Sequence, residues 1–261
     1  MSIPDNINDI LFVTAFKDIG RNNWNSYKRS NENYYNAFIN ITKVLQYNLV
    51  VYVDEEVKDE LMKLTKFSDN IIFKNLKNVD TFLLKFLEND KIIMNSQTYK
   101  NKIPNHRKSN PEHRFSEYNL INHSKINFVK DAFKSYQDYK FYSWIDFGYP
   151  SKEENIPKYI NTKNLPNKII YSCLEIPNLN NKQSPDKMLS SDKIYLCGAP
   201  NIIHKSFIET FEKIYENKII EFQKNYITDD DQNIILQIYY DNPDLFHLIS
   251  NPKWCVLYNN L

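Results

Sequence analysis

Glycine is scarce in this chain. The 261 residues include only three glycines, Gly20, Gly148 and Gly198. This scarcity excludes a glycine-rich phosphate-binding loop and the GxGxxG dinucleotide fingerprint, because both need several glycines close together. Each glycine follows a strand-like run, where it permits a positive φ or the close approach of backbone and ligand. Ordinary turns after strands also use glycine, so both interpretations stay open.

Cysteine pairs, charge asymmetry and long apolar runs are also missing. The three cysteines, Cys173, Cys197 and Cys255, have no CxxC spacing, so we expect free thiols rather than a disulfide framework or a zinc site. A net charge of +1 gives no global field that would attract nucleic acid. Neither a transmembrane run nor a leader-like start is visible. We therefore expect a soluble, cytoplasmic protein with no nucleic-acid partner.

Short apolar runs alternate with amphipathic segments over the first 149 residues. The predicted strands are residues 10–16, 49–53, 71–73 and 141–145, and the predicted helices are 32–46, 81–88 and 116–136. Strands separated by helices favour parallel βαβ units. We predict a single α/β domain of Rossmann type over residues 1–261, with a mostly parallel central sheet and helices on both faces.

Two regions depart from this alternation. Residues 89–115 are polar and contain two prolines, which predicts an irregular loop that borders the site. After residue 149 the pattern loosens, with predicted strands at 169–172, 194–197 and 254–258 and predicted helices at 202–222 and 229–240.

In open α/β sheets, ligands bind beyond the carboxyl ends of the strands, and the first strand ends in a suggestive segment. Thr14, Ala15 and Phe16 close the strand, and a polar loop with Gly20 and Arg21 follows. Arginine is rare here, and its planar fork suits a diphosphate or a carboxylate better than lysine does. An ordinary strand exit with a surface arginine would look the same.

The fourth strand ends in a carboxylate within the run Trp144-Ile-Asp-Phe-Gly-Tyr149. A carboxylate among apolar residues at a strand end is costly unless it binds a cation or accepts hydrogen bonds. Asp146 fits either description, although it could simply cap a turn. The Asp-Phe-Gly letters do not indicate a protein kinase, because the other kinase motifs are absent.

A run of acids precedes the last predicted helix. Thr228 or Asp229 can cap that helix, and Asp231 and Gln232 then lie in its first turn. The acids either complement the helix dipole or provide a carboxylate–amide pair for a sugar hydroxyl. The five histidines show no metal-binding spacing, and only His247, just after this helix, is of interest.

Six segments together resemble the HtrL/YibB family of bacterial and viral proteins, which are glycosyltransferase-like. They are Val13–Arg21 with Trp24 and Arg29, Val50–Asp54, Ser124-Lys125, Trp144–Tyr149, Asp231-Gln232 and Asn242–Phe246. They occur in the family's order and span nearly the whole chain. The resemblance implies a GT-A fold that binds a nucleotide-sugar, with residues 1–149 as the nucleotide-binding half and 150–261 as the acceptor and sugar half.

The resemblance also implies roles for individual residues. Thr14, Ala15 and Phe16 would line the nucleoside pocket, Asp54 would contact the base, and Arg21 and Lys125 would neutralise the diphosphate. Asp146 would hold Mn²⁺ or Mg²⁺ with His247 as a late ligand, or would instead bind the ribose. Glycine replaces the second acid of the Asp-x-Asp motif usual in that fold, so the metal is an open question. Asp231 would act on the acceptor as a base or hydroxyl binder, and Gln232 would orient the sugar.

We therefore expect a glycosyltransferase that moves a sugar from a nucleotide-diphosphate donor to a glycan, lipid or protein acceptor. The alternative is a binding protein of the same fold that holds the nucleotide or carbohydrate without turnover.

Overall fold

The computed structural model describes residues 9–149, 156, 160–251 and 257–258, and seven strands in these ranges form one sheet. The strands are β1 (Ile10–Ala15), β2 (Leu49–Val53), β3 (Ile71–Asn75), β4 (Phe141–Trp144), β5 (Ile169–Cys173), β6 (Leu196–His204) and β7 (Phe246–Ser250). Their order is β3-β2-β1-β4-β6-β5-β7. β3, β2, β1 and β4 run parallel, β5 pairs in parallel with β7, and β6 is antiparallel to both of its neighbours.

Helices cover both faces of this sheet. They are α1 (Asn31–Val44), α2 (Glu55–Leu64), α3 (Phe82–Asn95), α4 (Gln97–Lys102), α5 (Ser116–His123), α6 (Lys125–Ser135), α7 (Pro185–Leu189), α8 (Ile208–Lys224) and α9 (Asp231–Asp241). Successive β1 residues pack into different cores, because side chains alternate across a strand: Phe12 lies with α1 and α2, and Leu11 with α6 and α8. Burial on both faces makes β1 apolar except at Thr14. The predicted mostly parallel α/β sheet is confirmed.

The predicted irregular segment 89–115 is largely helical. α3 continues to Asn95 and α4 follows at once. Phe86, Ile93 and Met94 bury one face of α3, but the polar residues around them hid this periodicity in the sequence. The predicted helix 116–136 is likewise two helices, α5 and α6, which meet at Ser124.

The second half differs most from the prediction. β6 extends to His204, so the helix predicted from residue 202 begins only at Ile208. Both edges of β6 are paired, and that tertiary pairing decides its length. β7 was not predicted, and residues 254–256 of the predicted last strand lie outside the described residues.

The described part of the chain holds two cysteines, and both are buried free thiols, as predicted. Burial raises the pKa of the Cys173 thiol to about 11. Cys255 lies outside the described residues. Among the helices of the described ranges, none combines the length and the apolar character needed to span a bilayer.

Candidate functional site

A cleft of about 310 Å³ opens where β1 and β4 end. Seven of the predicted site residues line it: Ala15, Phe16, Arg21, Lys125, Asp146, Asp231 and Gln232. The chain leaves β1 toward β2 on one side, while β4 lies on the other side, so the strand order reverses at this point. Such a reversal leaves a crevice between parallel strands, which is the usual ligand position in an open α/β sheet.

Two arginines from the segment after β1 reach the cleft. Arg21 donates from Nη1 to the Tyr34 hydroxyl at 2.7 Å and from Nη2 to the Tyr27 carbonyl at 3.0 Å. Arg29 donates to the Gly148 carbonyl at 2.9 Å and lies over the Tyr34 ring, with its Cζ 4.3 Å from the ring centroid. Within the ranges that the structure describes, neither guanidinium forms a salt bridge with a carboxylate.

Aromatic stacking fixes the loop that carries these arginines. The Arg21 guanidinium lies over the Trp24 ring, with its Cζ 5.1 Å from the centroid. Trp24 in turn stacks on Phe115, and the two centroids are 3.9 Å apart. Gly20, which has a φ of +74°, allows the chain to turn into this loop.

Lys125 is the buried cation of the cleft. It begins α6, and its side chain is 10% exposed. Its ammonium donates to Asp231 Oδ2 at 2.7 Å and lies 3.3 Å from Asp146 Oδ1. Burial alone would lower the pKa of Lys125, but the two carboxylates outweigh it and the pKa is raised. Lys125 is therefore charged at any ordinary pH.

Asp231 is the more deeply buried of the two carboxylates that contact Lys125. Burial raises the pKa of its carboxyl group, and the Lys125 ammonium opposes that rise. Asp146 is more open, with a side chain 45% exposed, and it accepts a hydrogen bond from the Trp144 indole at 2.7 Å. One ammonium is thus shared by a buried carboxylate and a half-exposed one.

Two of the three glycines make room for these side chains. A Cβ on Gly198 would lie 2.4 Å from Asp231 Oδ2, and a Cβ on Gly148 would lie 2.9 Å from Arg29 Nη2. Both distances are too short for any other residue to fit without movement. The scarce glycines therefore lie at the site for a steric reason.

Two predicted residues lie near the cleft without lining it. Thr14 is 1% exposed inside β1, one residue before the cleft begins at Ala15. Asp54 follows β2 and is the N-cap of α2, and its Oδ1 lies 3.7 Å from Lys77 Nζ. A carboxylate in that position faces a neighbouring lysine rather than the cleft.

His247 lies far from Asp146. It is exposed on β7, and the sheet register places it level with Ile170, Ile202 and Ser143 on successive strands. Three strand spacings, about 14 Å, separate it from β4. The predicted pairing of Asp146 with His247 around one ion is therefore not formed.

The residues around the cleft offer a metal ion a poor ligand set. Within the described ranges, no group of three histidine, cysteine or acidic side chains converges. The nearest carboxylates, those of Asp146 and Asp231, already share the Lys125 ammonium. A divalent cation at this point would have to compete with that ammonium for both carboxylates.

The acid run differs from a solvated helix start. Asp230 caps α9 by accepting from the Gln232 backbone at 3.1 Å, in place of the predicted Thr228 or Asp229. Asp229 is 1% exposed and Asp231 5% exposed, so these acids are neither interchangeable nor solvated. Asp230 lines the cleft, and burial together with the flanking carboxylates raises its pKa well above the usual value.

Sequence reasoning missed Asp230, Tyr34 and Tyr118 as cleft residues. Asp230 could have been found, because it stands in the acid run beside Asp231. The tyrosines gave no signal, because helix residues with aromatic side chains usually belong to the core.

Hydrogen bonds among buried polar residues support the segment that precedes the acid run. The Tyr99 hydroxyl donates to the Thr228 carbonyl at 2.8 Å, and the Thr228 hydroxyl donates to Asp90 Oδ2 at 2.7 Å. Gln223 donates to the other Asp90 oxygen at 2.7 Å. No residue from 89 to 115 lines the cleft, although Phe115 contacts its arginine loop by stacking on Trp24. The segment supports the acid run instead.

Asp90 makes stability depend on pH. Burial raises its pKa from 3.8 to about 6, despite hydrogen bonds from Thr228 and Gln223 that lower it. A raised carboxyl pKa adds stability that is complete below about pH 4 and is lost as the pH rises through about 6. Relative to Asp90→Asn, the wild type should therefore gain about 1 kcal/mol of unfolding free energy per pH unit as the pH falls from 6 to 4.

Urea denaturation of both proteins at pH 4, 5, 6 and 7 measures this difference. Buried His113, with its pKa lowered to about 4, affects both proteins alike and cancels. Glu88→Gln is the control, because this carboxylate is 84% exposed on the same helix. A difference between the wild type and Asp90→Asn that does not change with pH would contradict the assignment.

Comparison with known proteins gives a family but no activity. The family described as "Bacterial protein of unknown function (HtrL_YibB)" matches residues 8–260. Protein HtrL of Escherichia coli (strain K12) is 24% identical over 263 residues, which cover 94% of this chain and 90% of that protein. The crystal structure of 4-diphosphocytidyl-2C-methyl-D-erythritol synthase from Anaerococcus prevotii DSM 20548 covers 97% of this chain and 91% of its own, with a TM-score of 0.46 and 10% identity. A similarity of that size says nothing about activity. Since the family match extends over nearly the whole chain, the protein belongs to the HtrL/YibB family.

Proposed function

We propose that the protein is a glycosyltransferase that takes its sugar from a nucleoside-diphosphate donor bound in the cleft between β1 and β4. Arg21, Arg29 and Lys125 bind the diphosphate, and Ala15 and Phe16 form the floor for the nucleoside. Asp231 and Gln232 face the acceptor and the sugar. The cleft's place at the strand reversal supports a nucleotide-like ligand, because that crevice is where open α/β sheets bind one.

The observation that carries the proposal is the pair of uncompensated arginines. Arg21 and Arg29 are held by a tyrosine hydroxyl and backbone carbonyls, and neither forms a salt bridge with a carboxylate of the described residues. Neutral partners fix the two guanidinium groups and leave their remaining donors without an ion-pair partner, although Asp18 and Asp230 line the same cleft. A fixed pair of positive charges in a cleft matches a diphosphate, whose oxygens accept paired hydrogen bonds from arginine.

The same charges suit the chemistry of transfer. The bond between the anomeric carbon and the phosphate oxygen breaks, and the nucleoside diphosphate leaves with the electron pair. The acceptor oxygen bonds to the anomeric carbon, and Asp231 takes the proton of the acceptor hydroxyl. Cations that are already in place stabilise the charge that grows on the leaving group, which is where such fixed electrostatics contribute most.

Asp231 retains an oxygen for that role. Its Oδ2 accepts from Lys125, whereas Oδ1 has no hydrogen bond to a side chain of the described residues. Gln232, the next residue, is half-buried and lines the cleft. Its amide can both donate and accept, which suits the hydroxyls of a sugar.

We expect Arg29→Met to weaken the binding of a nucleoside diphosphate by about 10-fold to 100-fold, the usual cost of losing a hydrogen bond to a charged group. Arg21→Met should have a similar effect. Calorimetric titration with uridine, guanosine, cytidine and thymidine diphosphates measures these affinities. Arg114→Met is the matched control, because Arg114 is exposed and outside the cleft.

A panel of nucleotide-sugars then tests transfer through the release of free nucleoside diphosphate. Release that depends on Asp231 supports the enzyme. Thermal stabilisation by a nucleotide-sugar without any release would indicate a binding protein of the same fold. Wild-type affinity in both arginine variants, or no nucleoside diphosphate binding at all, would contradict the proposal.

A further inference from the structure

The Lys125 ammonium lies among three oxygen atoms of the cleft. Lys125 Nζ lies 2.7 Å from Asp231 Oδ2, 3.3 Å from Asp146 Oδ1 and 3.4 Å from the Gly198 carbonyl oxygen. Two carboxylates and a backbone carbonyl around one point are the oxygen ligands that a hard divalent cation takes. Here an ammonium group occupies that point.

Arg29 fills the space beside Gly148, the position of the second acid in an Asp-x-Asp motif. Gly148 is two residues beyond Asp146, but a Cβ there would lie 2.9 Å from Arg29 Nη2 and equally close to the Tyr34 ring. A carboxylate at position 148 beside Asp146 would therefore require Arg29 and Tyr34 to move. The guanidinium of Arg29 occupies this space and donates to the Gly148 carbonyl.

From this arrangement we infer that the cleft works without a metal ion, and that the Lys125 ammonium takes the place of a divalent cation beside the diphosphate. The role assigned to the diphosphate rests on the proposed function, whereas the occupation of the cation point by Lys125 does not. The Lys125 stem is buried and its charge is fixed by two carboxylates, so the ammonium is held in position before any ligand binds. A divalent cation would have to displace it from both carboxylates.

The test uses the metal alone. We expect MnCl₂ to leave the melting temperature of the wild type unchanged, and Lys125→Ala to gain a site between the two freed carboxylates. At Mn²⁺ concentrations near 100 times the dissociation constant, that variant should melt roughly 5 °C higher than without the ion. Lys125→Ala/Asp146→Asn is the control, since it lacks one of the two carboxylates and should lose the gain.

Two results would overturn the inference. One is a wild-type protein that Mn²⁺ stabilises and that Asp146→Asn makes insensitive. The other is a folded Lys125→Ala variant that gains nothing from Mn²⁺. If Lys125→Ala does not fold, the wild-type comparison still decides. A third arm measures nucleoside diphosphate affinity in EDTA and in Mn²⁺, which should agree within about threefold. If no nucleoside diphosphate binds in either condition, that result would count against the proposed function, and the conclusion about the metal would stand.

Discussion

Lys125→Met should lower the free energy of unfolding at pH 7 by about 3–5 kcal/mol, the usual cost of removing one partner of a buried ion pair. The methionine fills most of the lysine's volume, so the loss is electrostatic rather than a cavity effect. Asp231, which is 5% exposed, would be left as a buried carboxylate without its ammonium. Asp146 would suffer less, because its side chain is 45% exposed and remains solvated.

Urea denaturation measures this effect, and two further variants identify its cause. Lys134→Met is the control for losing a lysine from the same helix, because Lys134 is exposed. Adding Asp231→Asn to Lys125→Met should restore much of the stability, since no buried charge is then left unpaired. Equal stability of the Lys125→Met and Lys134→Met variants would show that the ion pair contributes nothing.

With Asp231 as the base of the proposed reaction, Gly198→Ala should reduce sugar transfer by about 100-fold or more, the scale expected when a general base is misplaced. The new Cβ would lie 2.4 Å and 2.5 Å from the two carboxylate oxygens of Asp231. Asp231 begins α9, and its backbone is fixed there, so the side chain has to turn away from Lys125. The overpacking should also cost about 1–3 kcal/mol of stability.

A double-mutant cycle separates this clash from a general weakness of β6. In an Asp231→Ala background the carboxylate is gone, so Gly198→Ala should cost little stability. The cycle is read from urea denaturation, and transfer rates are compared for the single variants. A full stability loss in both backgrounds would mean that Gly198 serves β6 and not Asp231.

The first half of the fold was predictable because its signals are local. The run Leu49–Val53 is apolar at every position and bounded by polar residues, and it forms β2 with the predicted bounds. The prediction ended β6 too early, because the strand is stabilised by partners on both edges rather than by its own composition. The prediction of an irregular loop over residues 89–115 was wrong for a third reason, because scattered polar residues obscure the helical period of the buried positions.

The site was predictable where a motif ended a strand. Arg21, Asp146 and Asp231 were found because each follows or precedes an element whose end could be read from the sequence. Their partnership could not be read, because the contact between Lys125 and Asp231 depends on how α6 and α9 pack. His247 received its role as a metal ligand from the family resemblance alone, and the sheet register places it three strands from β4.

The contact between Lys125 and Asp231 also has a meaning for the chain as a polymer, because the two residues are 106 positions apart. Closing a loop of that length costs entropy before any contact repays it, and topologies rich in such contacts order slowly. Residues 1–149 supply the ammonium and both arginines, and residues 150–261 supply Gly198 and Asp231. Neither fragment alone contains a complete cleft. The two fragments are joined in the sheet where β6 pairs with β4, and β6 is the one strand of the described sheet that is antiparallel to both of its neighbours.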